Sequence, residues 1–167
     1  ELVAWKDGVV DRLTGGVEKL CKAAGVTLVE GRASFVDEHT FEVDGPDGIE
    51  EIAFENAILA TGSRPIQVPG FEYADEPVWS SRDALDPDPL PDSLVVVGAG
   101  YIGMELSTLF AKLGVDVTVV EMLDSILPAY GPDLTPPVRE RAEELGIEFN
   151  FGEAASSWEY GRNGIVV

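Results

Sequence analysis

Apolar residues open the chain at helical spacing. Val3, Val10, Leu13, Val17, Leu20 and Ala24 recur at intervals of three, four or seven. This predicts a helix over residues 1–24 with one apolar stripe, stopped by Gly25. The period then changes. Val26-Thr-Leu-Val29 predicts a short strand. Ala33–Val36 and Thr40–Val43 alternate, Pro46-Asp47-Gly48 signals a turn, and Ile49–Phe54 alternates again. Together these predict a small antiparallel meander. Asn56-Ala-Ile-Leu-Ala60 is an apolar run into Thr61-Gly62-Ser63, which predicts a buried strand.

Residues 64–93 are dense in proline, as in Pro87-Asp-Pro-Leu-Pro91, and no helix of ordinary length fits across them. They predict a connection with one short helix near Ser81–Leu85. Ser93–Val97 is a β-branched run of the kind buried on both faces. A glycine turn follows, then a helix over Ile102–Leu113 stopped by Gly114. A second strand over Val115–Val120 ends at Glu121. A helix over Leu134–Leu145 is stopped by Gly146, Ile147–Phe151 is a third strand, and a hairpin forms around Arg162-Asn163-Gly164. The order β-α-β-α-β over 93–151 is half of a doubly wound sheet. The predicted class is therefore α/β, a Rossmann-like parallel sheet left incomplete, joined to an antiparallel meander. Its domains run over 1–90 and 91–167. The sequence has no internal repeat.

Composition adds exclusions. The 167 residues are 45% hydrophobic and 25% charged, as in a globular protein. No 18-residue apolar run predicts a membrane span, and residues 1–20 lack the pattern of a secretory signal. Eleven Lys and Arg against 31 Asp and Glu give a net charge of −20. Nucleic acid needs a basic face, so it is excluded as a partner. Four Lys against seven Arg, on so acidic a chain, is a halophilic composition suited to concentrated salt. Cys21 and His39 are the sole residues of their kinds. Neither a disulfide nor a Cys–His site can be built from this chain, and no metal site is expected. Cys21 reads as a small buried hydrophobe and His39 as a surface residue in a turn.

The candidate chemistry lies in Gly98-Ala99-Gly100-Tyr101-Ile102-Gly103. This G-x-G-x-x-G follows a predicted strand and opens a predicted helix, the context the pattern requires. Gly98 allows the tight turn, Gly100 leaves room for a pyrophosphate against the backbone, and Gly103 lets helix and strand pack closely. Glu121 stands 18 residues past Gly103 at the end of the next strand. An acid at roughly that offset accepts hydrogen bonds from the adenosine ribose. Met122-Leu-Asp124 offers no arginine for a 2′-phosphate, so NAD is expected over NADP. A second, weaker signal is Ala60-Thr61-Gly62-Ser63-Arg64-Pro65. Its small residues suit either a close ligand or a plain turn.

Several stretches in this order resemble the pyridine nucleotide–disulfide oxidoreductases. They are Leu13-Thr-Gly-Gly-Val17, Val29–Val36, Ile58–Pro65, Leu94–Gly103 with Glu105-Leu106, and Val117–Glu121. The resemblance covers essentially the whole chain and is strongest to members that oxidise dihydrolipoamide. It implies an FAD-binding part over 1–90 and an NAD-binding part over 91–167. It also implies that Thr61, Gly62, Ser63 and Ala33 touch FAD, and that Ala155 lies near the adenine of NAD. By the same resemblance Tyr101 covers the flavin and Glu105 pairs with a lysine upstream. The main FAD-phosphate loop and redox cysteines are expected upstream of this chain, and a His–Glu base and dimer interface downstream. The chain alone is then expected to be inactive and to hold FAD weakly. The implied whole is a cytoplasmic homodimer. Its substrate is dihydrolipoamide carried on the acyltransferase subunit of a 2-oxoacid dehydrogenase complex. An NADH oxidase, a mercuric reductase, a coenzyme A disulfide reductase and a free-standing NAD module remain open alternatives.

Overall fold

The computed structural model describes all residues except 74–76 and 163. They form two compact units, Glu1–Ser63 and Arg64–Val167.

In the first unit, α1 spans Leu2–Ala23. A Lys22–Glu18 ion pair one turn apart supports it, with Nζ and Oε1 2.6 Å apart. The meander follows as β1 (Arg32–Asp37), β2 (Thr40–Gly45) and β3 (Gly48–Ala53), antiparallel in that order. Phe35 lies opposite Phe41. Their rings are 4.5 Å apart, and Phe54 stacks on Phe41 at 4.6 Å. Among the described residues Val43 is the buried hydrophobe of this unit.

Three expectations for this unit fail. Val26–Val29 and Asn56–Ala60 join no sheet, and Ile58 is 93% exposed. The expected helix α1 does form, yet none of its residues is buried, and Leu20 on its apolar stripe is 71% exposed. Cys21 is only half-buried. The reason is common to all. A strand exists through hydrogen bonds to a neighbour, and an apolar face through something laid on it. His39 is exposed, as expected, and its N–H donates to Asp37 Oδ1.

The second unit is built on β4 (Ser93–Val97), α2 (Tyr101–Lys112), β5 (Asp116–Glu121), α3 (Pro136–Glu144) and β6 (Glu148–Phe151). The sheet is parallel with order β4-β5-β6, and Val96 is paired to Val119. Phe110, Val117, Val119, Ile126, Ala142 and Ile147 form its core. The stretch expected to be a strand buried on both faces is buried on one. Leu94 and Val96 pack on the core while Val95 and Val97 are exposed. The covering helices reach only one side.

Residues 64–92 do more than connect. Trp79 sits 6.4 Å from the Phe110 ring and Ala84 is buried in the core. The short helix expected near Ser81–Leu85 is a single 3₁₀ turn, Asp83–Leu85. The Asp83 carboxylate accepts from the Ser80 hydroxyl at 2.6 Å and from the Ser80 amide at 2.8 Å. The final hairpin is β7 (Glu159–Gly161) with β8 (Gly164–Val166); Asn163 lies outside the described residues.

Candidate functional site

The site grows from the end of β4. Gly98 has φ +102, a region closed to most side chains, and its N–H donates to Val120 O at 2.8 Å. The chain therefore turns sharply while staying tied to β5. Gly100 is the N-cap of α2. A Cβ on Gly103 would fall on the carbonyl oxygen of Gly98, so only glycine lets the helix rest on the strand end. A Cβ on Gly100 would meet nothing, so the space before the helix is open. Tyr101 and Ile102, the first helical residues, are exposed. First-turn amides have no acceptor within the helix, and no acidic side chain stands in that turn. The positive end of the helix thus faces open space.

Glu121, the last residue of β5, is only 6% exposed in a chain of charge −20. Its Oε2 accepts from the Ala99 amide at 2.7 Å and its Oε1 from the Leu123 amide at 2.9 Å. The carboxylate is a brace between strand end and glycine turn, not a solvated acid. The Ala99 carbonyl in turn accepts from the Leu127 amide at 2.8 Å, and Ala99 is wholly buried. Leu127 has φ +52, a left-handed conformation that costs a non-glycine residue roughly 1–2 kcal/mol. After β6, the Gly152 amide donates to Leu123 O and the Glu153 amide to Glu121 O, at 3.0 and 3.2 Å. Ala155 follows two residues on, half-buried.

The second unit thus gathers Gly98, Ala99, Gly100, Tyr101, Ile102, Gly103, Glu121 and the start of the segment leading to Ala155. Glu105 is exposed on α2. Thr61, Gly62 and Ser63 are exposed at the end of the first unit, and Ala33 lies on β1 opposite Val43. Sequence reasoning missed the Leu123 and Leu127 amides, because backbone donors carry no residue signature. It also missed Ser107, fully buried on α2 with an Oγ that has no hydrogen-bond partner. Among the described residues, no group of three His, Cys, Asp or Glu side chains is placed to hold a metal, and no helix is long and apolar enough to cross a membrane.

Parallel strands, a glycine turn and a helix N-terminus at the strand end define a Rossmann-like α/β protein. The chain belongs to the pyridine nucleotide-disulphide oxidoreductase family, which it matches over residues 2–163. It is 65% identical to a dihydrolipoyl dehydrogenase of Halobacterium salinarum and 63% identical to one of Haloferax volcanii. Each match covers all of this chain and 36% of the relative, so the chain spans about a third of their length. Among solved structures, LpdA of Mycobacterium tuberculosis is similar over 98% of this chain and 37% of that one, with TM-score 0.86 and 27% identity. A copper(II) complex of a cysteine-to-serine mutant of the HOCl-induced flavoprotein disulfide reductase RclA of Escherichia coli gives TM-score 0.83 at 25% identity, over 98% and 37% of the two chains.

Proposed function

We propose that this chain is the cofactor-binding central part of a halophilic, FAD- and NAD-dependent dihydrolipoamide dehydrogenase, which converts dihydrolipoamide and NAD⁺ to lipoamide and NADH. The observation that carries the reading is the buried Glu121 carboxylate, held against the glycine turn beside the open helix end. Identity of 63–65% to two dihydrolipoyl dehydrogenases supports the substrate.

The residues present fit a dinucleotide. The free amides of Tyr101 and Ile102 receive the pyrophosphate, and Gly100 leaves it room. Each Glu121 oxygen keeps a lone pair beyond its backbone donor, so the carboxylate accepts the adenosine ribose hydroxyls. It repels a 2′-phosphate, which favours NAD over NADP. Ala155 lies toward the adenine. Thr61, Gly62, Ser63 and Ala33 contact FAD, Tyr101 covers the flavin face until nicotinamide arrives, and Glu105 pairs with a lysine outside this chain. Bound flavin and nicotinamide supply the electron and hydride transfer; this chain holds and orients them. The redox cysteines and the base belong to other parts of the protein. The whole is a cytoplasmic homodimer. It serves dihydrolipoamide on the acyltransferase subunit of a 2-oxoacid dehydrogenase complex, with neither nucleic acid nor membrane as partner.

The test uses the full-length protein. Dihydrolipoamide is expected to drive NAD⁺ reduction, and Glu121→Arg to move preference from NAD⁺ toward NADP⁺. An unchanged preference removes Glu121 from the ribose site. A flavin that NADH reduces, without dihydrolipoamide turnover, favours another disulfide reductase, the reading that the likeness to the Escherichia coli enzyme supports.

A further inference from the structure

We propose that Leu127 is a positioning residue for the dinucleotide turn, acting through its backbone. The two peptides that flank Ala99 are each held: the N–H of the Gly98–Ala99 peptide by Glu121 Oε2 at 2.7 Å, and the carbonyl of the Ala99–Gly100 peptide by the Leu127 N–H at 2.8 Å. A trans peptide is planar, so the Ala99 carbonyl and the Gly100 N–H point in opposite directions. Fixing the carbonyl on Leu127 therefore aims the Gly100 N–H away from Leu127. A Cβ on Gly100 meets nothing within 4 Å, so the chain around that amide is open. Leu127 makes this bond while it holds the left-handed region, and among the described residues no other non-glycine residue does so. Its neighbour Ile126, 2% exposed, anchors the conformation in the core, and the Tyr130 amide closes a turn on the Leu127 carbonyl at 2.9 Å. The segment after Glu121 is thus a second clamp on the turn, added to the carboxylate's.

The inference rests on the dinucleotide reading, and its test separates the two. NAD⁺ is titrated by calorimetry into the full-length protein and its variants, with Tm measured alongside. Isoleucine matches leucine in volume, but a β-branched residue resists positive φ; asparagine tolerates it. Leu127→Ile is expected to raise the NAD⁺ Kd about threefold to tenfold, the weight of one hydrogen bond. Leu127→Asn lowers Tm, because Leu127 packs against the core, yet keeps Kd within about twofold. If Leu127→Ile does not fold, Leu127→Ala replaces it and is expected to bind more weakly than Leu127→Asn. Affinity that follows side-chain volume or Tm, instead of tolerance of positive φ, overturns the inference. Gly100→Val is the control and is expected to abolish binding while leaving Tm unchanged. Binding that survives it overturns the dinucleotide reading itself. Binding lost there, with Leu127→Ile unaffected, overturns the Leu127 clamp alone.

Discussion

The two units obey the same rules of local pattern and end in different states. The second lays a continuous core on one face of β5, in which Phe110 and Val119 have no exposed surface. The first has a long helix and a registered meander around one buried valine. Topology explains the contrast. Parallel strands need crossovers, and a crossover helix brings its own cover for the sheet. A meander closes through short turns and brings none. Its apolar faces, and the stripe on α1, need cover from elsewhere. The candidate site, with Glu121 braced against the glycine turn, lies in the unit that buries its own core.

The sharpest way to break this contrast is a pair of truncations. Phe110→Ala is expected to cost about 3–5 kcal/mol in urea unfolding, as a large cavity in a packed core does. Phe41→Ala, half-buried between two rings, is expected to cost about 1 kcal/mol. Equal losses would show the two units to be equally packed. Next come the glycines. Gly103→Ala is expected to cost about 1–3 kcal/mol, because its Cβ falls on the Gly98 carbonyl. Gly100→Ala is expected to leave the melting temperature unchanged. Glu121→Ala leaves the Ala99 and Leu123 amides without their acceptor, and a loss of about 1–3 kcal/mol is expected. A neutral result in thermal melts would mean that water replaces the carboxylate.

The smallest expected effect is a pH dependence. The Ser80 hydroxyl and amide hold the Asp83 carboxyl below the usual carboxylate range. A depressed pKa in the folded state gives stability that is present above the ordinary value and lost as pH falls through the folded one. Ser80→Ala should therefore shave stability at neutral pH and leave it unchanged in strong acid. Melts across that range check this, and a difference that persists in acid would assign the effect to lost packing.

Particular residues show how much was legible. The G-x-G-x-x-G at 98–103, the acid at 121 and the glycines ending α2 and α3 were readable because each answers a local need: a turn, a helix stop, a strand end. Asn56–Ala60 was not, because its apolar run records a need for cover without saying whether this chain supplies it. The same holds for both faces of β4. By itself, the order of residues determined the helices α1, α2 and α3, the meander, the strands of the parallel sheet, the acidic composition, the family resemblance and the candidate dinucleotide turn, since these depend on neighbours along the chain. Only the tertiary structure decided which apolar faces are covered, and that Glu121 and Leu127 hold the two peptides that flank Ala99. Burial and backbone hydrogen bonds depend on what lies across space, and a backbone amide looks the same at every position.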